Sequence, residues 1–160
     1  MTVVYALIGI VVLAWVIRRQ LRAQPFTGRR IRLAAALGAL GVVEVVVTTT
    51  QAGDPGPLGW GLLVLSLVIA AGFGVWRAAT TRLWFEDGRP FVQGSRTTLV
   101  LWIVGIAAHV GLDALTPVLD PAAAPMISTS VLLFVGLTLG AQFLGVSRRI
   151  HAADPVGAAA

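Results

Sequence analysis

The chain has 160 residues, 57% hydrophobic and 12% charged, with a formal net charge of +5 and a mean hydropathy of +0.87. Soluble domains carry about 25% charged residues, so an ordinary soluble make-up is excluded. The chain contains no cysteine, which excludes disulfide scaffolding, thiolate metal sites and thiol–disulfide relay chemistry within it.

All twelve basic residues are arginines, and they fall in three clusters between apolar runs. A pI near 11.5 would suggest nucleic acid if the arginines formed one surface or tail. Placed beside apolar spans they read instead as contacts to anionic lipid headgroups, and no nucleic-acid partner is expected. Arginine in place of lysine, among abundant Ala, Gly and Val, fits the codon usage of a GC-rich bacterial genome. The expected location is therefore the bacterial cell membrane.

A hydrocarbon core about 30 Å thick takes about 20 helical residues, and five runs approach or reach that length. The first covers 2–17. It lacks the basic region that precedes a signal peptide's apolar core, so it reads as a retained span. Tyr5 and Trp15 mark its outer and inner ends. Arg18, Arg19, Arg22, Arg29, Arg30 and Arg32 follow. The second span, 31–50, carries Glu44 and Thr48. The segment 51–58 has no basic residue and is rich in Gly, Asp and Pro, which is turn chemistry.

The third span, 59–76, has Trp60 and Trp76 at its ends and a small-residue stripe at Ser66, Ala70 and Gly74. Arg77, Arg82, Arg89 and Arg96 mark the next connection. There Leu83-Trp84-Phe85 and Pro90-Phe91-Val92 flank Glu86-Asp87-Gly88-Arg89. Asp-Gly between apolar stretches is a hairpin signal, and the segment reads equally as a small amphipathic hairpin or as an irregular loop with buried aromatics. Trp84, Phe85, Glu86, Asp87 and Phe91 are its candidate partner contacts.

The fourth span, 97–116, carries His109 and Asp113. The segment 117–125 again lacks basic residues. The fifth span, 126–146, holds Gly136 and Gly140 in a GxxxG pattern that serves helix packing or a homodimer. Arg148 and Arg149 follow, and 150–160 reads as a frayed cytoplasmic tail. The positive-inside rule then threads the chain with its N-terminus outside and C-terminus cytoplasmic. The expected fold is one all-α transmembrane domain over 1–149, a bundle of five helices.

Ionisable residues inside spans are functional candidates. Glu44 lies 12 residues past Arg32, and His109 lies 13 past Arg96. At 1.5 Å per residue both are ~18–20 Å from their arginines, at one level. Ala34, Gly41, Glu44 and Thr48 form one stripe of the second span; Trp102, Ile106, His109 and Asp113 form one of the fourth. Three readings are open. Glu44 and His109 satisfy each other while Asp113 sits at the wet outer end; or the three form a proton relay or polar substrate site; or they bind a metal or haem. The haem reading is the weakest of these, because one intramembrane histidine cannot supply two axial ligands and His151 lies in the tail. No cofactor is assigned.

The run Arg18-Arg19-Gln20-Leu21-Arg22-Ala23-Gln24-Pro25, continued by Gly28-Arg29-Arg30, is one of two stretches that carry a resemblance. The other is Arg77-Ala78-Ala79-Thr80-Thr81-Arg82-Leu83-Trp84 with Glu86-Asp87-Gly88-Arg89, Gln93-Gly94 and a span bearing Trp102. Together they resemble the CcdC-like family of small multi-pass bacterial membrane proteins, over roughly residues 10–115. The resemblance implies a multi-pass topology and an association with cytochrome c biogenesis, in which a chain without cysteine would be accessory. The expected function is thus an accessory or scaffold membrane protein with a membrane-protein partner. The alternative is a small, dimeric, proton-linked transporter or exporter using Glu44, His109 and Asp113; a membrane enzyme ranks third.

Overall fold

The computed structural model describes residues 22–153. The first predicted span, with Tyr5, Trp15, Arg18 and Arg19, and the end of the tail at 154–160 lie outside the described residues. In chain order the elements are β1 (Gln24–Pro25), α1 (Arg29–Ala52), α2 (Gly56–Thr80), β2 (Arg82–Glu86), β3 (Arg89–Gln93), α3 (Arg96–Leu119), α4 (Ala124–Thr129) and α5 (Val131–Ala153). Four of these helices, α1, α2, α3 and α5, are long and apolar enough to cross a membrane.

The helices start and stop for local reasons. Gly56 donates its N–H to Asp54 Oδ1 at 3.0 Å, and the Trp60 indole N–H reaches the same oxygen at 3.1 Å. That carboxylate therefore organises the first turn of α2, where otherwise unpaired N–H groups favour an acceptor. Ser95 and Thr98 form a reciprocal capping box at the start of α3, each side chain accepting from the other's backbone N–H at 3.1 Å. The α3 helix continues through Pro117 to Leu119, past the predicted end at 116. Pro117 lies in the last turn, where it removes only the one N–H that would reach the Asp113 carbonyl; beside it, Thr116 Oγ1 donates to the Leu112 carbonyl at 2.7 Å.

Two expectations are corrected. The single span 126–146 is broken at Ser130 into the short α4 and the long α5. The Ser130 hydroxyl donates to the Ile127 carbonyl at 2.7 Å, so a hydroxyl competes with the helical ladder at the break. The helix also runs on to Ala153, so the tail begins later than 150. The rest is mostly helical, as expected of a helical bundle, with one small sheet added: β2 and β3 form a hairpin, and β1 joins it antiparallel, giving the order β1-β3-β2. Asp87 and Gly88 both have positive φ, 49° and 72°, the backbone a two-residue hairpin turn requires. Of the two readings of this segment, the structure takes the hairpin.

The bundle is arranged around α5, which packs along both α1 and α2; α3 packs on α2. Large apolar side chains face outward, with Val68 63% and Val110 56% exposed, while Ser66, Thr98, Thr116, Ser130 and Thr138 are buried. Small residues make the crossings close. A Cβ on Gly136 would lie 2.7 Å from Gly38 Cα and 3.0 Å from the Ala34 carbonyl oxygen, and one on Gly74 would lie 2.5 Å from the Thr138 carbonyl oxygen. Gly140, by contrast, faces open space, so only half of the GxxxG pattern serves packing within the bundle.

The two glycines therefore predict opposite outcomes. Gly136→Ala should destabilise the protein by about 1–3 kcal/mol, since backbone atoms must move apart. Gly140→Ala should stabilise it by about 0.5–1 kcal/mol through helix propensity alone. Thermal unfolding of the two variants in detergent measures the difference in sign.

Candidate functional site

The intramembrane candidates separate. His109 is 4% exposed, and its Nδ1 lies 3.1 Å from Ser66 Oγ, a hydrogen bond whose direction follows the imidazole tautomer. Its other neighbour is the Phe134 ring, with centroids 4.7 Å apart. Glu44 is on an exposed face of α1. The residues of α1 turned inward are Ala34, Gly41 and Val45, with Thr48 half-buried, and Thr48 Oγ1 lies 3.2 Å from Thr129 Oγ1. The expected Glu44–His109 pairing is therefore corrected: the partner of His109 is Ser66. Asp113 is half-buried one turn beyond it. Among the described residues no group of three His, Cys, Asp or Glu side chains is placed to hold a metal ion.

Ser66 was legible only as a small packing residue. It lies 11 residues before Arg77, which puts it ~16–17 Å from that arginine and level with His109. The depth ruler that paired His109 with Glu44 points equally to Ser66. An exposed carboxyl and a buried imidazole respond differently to substitution. Ser66→Ala should cost about 1–3 kcal/mol by leaving a buried ring nitrogen without a partner. Glu44→Gln should change stability by less than about 0.5 kcal/mol. Thermal denaturation of both variants in one detergent checks the contrast.

At the arginine-bearing end the sheet is fastened to the helices. Val92 packs with Ala78 and Val146, and Phe26, Leu83 and Ile150 close over them. The Phe26 ring stacks on Phe143 at 4.8 Å. Arg149 donates from Nη1 to the carbonyls of Ala78 at 2.5 Å and Thr81 at 2.8 Å. These belong to the end of α2, where carbonyls lack helical partners and a cation is favoured. Thr80 Oγ1 and Thr98 Oγ1, 3.1 Å apart, tie the end of α2 to the start of α3. On the outer side of the hairpin, Trp84 and Phe91 are cross-strand partners and stack at 6.0 Å. Phe85, Glu86 and Asp87 are exposed.

The arginines divide just as sharply. Arg22, Arg29, Arg32, Arg82, Arg89, Arg96, Arg148 and Arg149 are exposed. Arg77 is not; its relative exposure is 0%. It continues the stripe Ser66, Ala70, Gly74 by one more turn of α2, so helical periodicity carries it inward. Its guanidinium carbon sits 4.7 Å above the Trp102 ring. Nε, Nη1 and Nη2 have no hydrogen-bond partner among the described residues, and neither does the buried Trp102 indole nitrogen.

Burying an unpaired cation costs several kcal/mol even after local relaxation, and stacking on an indole returns about 0.5–2 kcal/mol. The ring therefore does not offset the burial. Arg77 and Trp102 line a small cavity with Phe73, Gly105, Phe134 and Thr138. Its volume, about 10 Å³, is about that of one water-sized group. Phe134 separates this cavity from His109, touching both.

No protein-family model, curated protein or solved structure matches this chain, so its site is read from its own geometry.

Proposed function

We propose that this chain is a multi-pass protein of the bacterial cell membrane, with its arginine-bearing end in the cytoplasm. In this reading it serves as an accessory or scaffold component that engages a membrane-protein partner. Four long apolar helices with valine and leucine outward and hydroxyl side chains inward support the membrane reading. That inside-out distribution suits a lipid solvent, where helices associate through small and polar contacts rather than by burying apolar surface. The distribution of arginines supports the orientation.

The observation that carries the scaffold reading is the three-stranded sheet. It joins the segment before α1 to the connection between α2 and α3; Phe26, next to β1, stacks on Phe143 of α5, and Arg149 of α5 holds the Ala78 and Thr81 carbonyls from which β2 departs. A connection needed only to join helices requires two to eight residues. This one spends its length on a mounted hairpin with an outward Trp84–Phe91 pair, an exposed Phe85 and a charged tip. Aromatic side chains set in a polar rim are the usual anchors of protein–protein contacts. The CcdC-like resemblance adds a setting, cytochrome c biogenesis, in which a cysteine-free chain acts without thiol chemistry. Support for the transporter alternative does not come from a shared Glu44–His109 site, since Glu44 is exposed and His109 is bonded to Ser66.

The natural lack of cysteine makes the test direct. Single cysteines replace Phe85, on the hairpin, and Ala122, between α3 and α4. A membrane-impermeant maleimide should label the Ala122→Cys variant in intact cells and the Phe85→Cys variant only after permeabilisation. A thiol-directed cross-linker at position 85 should then give one discrete protein adduct in native membranes, weakened when Trp84 is also replaced by Ala. Reversed labelling would contradict the orientation. Correct labelling without a protein adduct would contradict the scaffold role.

A further inference from the structure

Arg77 presents a specific chemical demand. Its guanidinium carries five N–H donors and no acceptor; none of its nitrogens has a partner among the described residues, although the residue is 0% exposed. The indole N–H of Trp102 is a second buried donor without a partner, on the wall of the same cavity. The Thr138 hydroxyl donates to the Phe134 carbonyl at 2.8 Å and accepts from neither of these groups. The unpartnered polar atoms at this cavity are thus all donors, and one of the groups is a cation. Such a set is complementary to an oxyanion, since a guanidinium matches carboxylate and phosphate oxygens in its own plane.

Depth and lining narrow the class. Arg77 is three residues from the end of α2 at Thr80, about 4.5 Å along the helix axis. An arginine so near a helix end normally extends its head outward to water and headgroups; this one is turned inward onto Trp102. The rest of the wall is apolar, and Ile106 at its edge is 39% exposed, with Ile103 on the same helix 52% exposed. The cavity admits about one oxygen-sized group and excludes a nucleotide or sugar.

We propose that Arg77 and Trp102 form a binding site for the acidic headgroup of an anionic lipid, between α2, α3 and α5 at the arginine-bearing end. One phosphoryl or carboxylate oxygen enters the cavity and accepts from the guanidinium and the indole N–H. The acyl chains lie along the exposed apolar side chains of α3. The site rests on the membrane reading given above, and it differs from the exposed arginines in being built and desolvated rather than electrostatic alone.

The test is a lipid titration of the full-length protein purified in neutral detergent, read as the rise in melting temperature. Phosphatidylglycerol is compared with phosphatidylcholine of the same chains and with inorganic phosphate. Phosphatidylglycerol should give a saturable rise that the other two do not. Arg77→Met should melt no lower than the native protein without lipid, because it removes an unpaired cation, and should raise the half-saturating lipid concentration at least about tenfold. Arg82→Met makes the same charge change at an exposed position and should leave the titration unchanged. Trp102→Phe keeps a ring beneath the guanidinium, removes the N–H, and should weaken binding about fivefold.

Equal losses in Arg77→Met and Arg82→Met, or an unshifted Arg77→Met titration, would overturn the site. A full response to inorganic phosphate would overturn the lipid assignment. If Arg77→Met does not fold, Trp102→Phe decides alone, and an unchanged half-saturation there overturns the proposal. Failure here with correct cysteine labelling leaves the membrane reading standing, whereas reversed labelling removes its basis.

Discussion

Close backbone approach along α5 is the constraint on which the rest of this structure depends. In the lipid setting proposed above, helices that turn valine and leucine outward gain nothing by hiding them, so association comes from contact between backbones and from polar bonds. The Gly136 position admits α1 at Gly38 and Ala34, and Gly74 admits α5 at Thr138 and Ala141. A single methyl at either place would meet backbone atoms. Both neighbours of α5 are therefore held at a spacing that its own and their small residues set.

That spacing determines what happens at each level of the bundle. Midway, Phe134 projects from α5 between α2 and α3, where it packs on His109 and forms a wall of the Arg77 cavity. Farther along, Phe143, Val146 and Arg149 receive Phe26, Val92 and the final carbonyls of α2. One helix thus positions the buried polar pair, the buried cation and the sheet. At the opposite end both arginine-free connections lie close against the start of α2, since a Cβ on Gly59 would lie 2.6 Å from Pro55 Cβ and 2.7 Å from Ala123 Cβ.

The spans were legible because length and hydropathy are averaged over many residues; α1, α2 and α3 contain the predicted runs and extend them by a few residues. The Asp87-Gly88 turn was legible because positive φ has a strong residue preference. Facing was not, where one residue decides it. Glu44 and Val45 differ by about 100° around the helix, and a small-residue stripe fits either; the structure buries Val45 and exposes Glu44. Arg77 was hidden by a different effect. Its charge assigned it to the topology pattern, while its place one turn past Ser66, Ala70 and Gly74 assigned it to the interior. The packing stripe prevailed. Strand β1 has only two residues, one of them proline, too short to show alternation, and proline is tolerated because it lies on the sheet edge.

The central claim is that α5 holds the sheet in a fixed place against the bundle. Spin labels on cysteines introduced at Glu86, beside the hairpin tip, and Ala152, near the end of α5, measure this directly by electron–electron double resonance in lipid nanodiscs. The account predicts one narrow distance distribution, broadened when Arg149 is replaced by Ala. A broad distribution in the otherwise native protein, unaffected by Arg149→Ala, would contradict it.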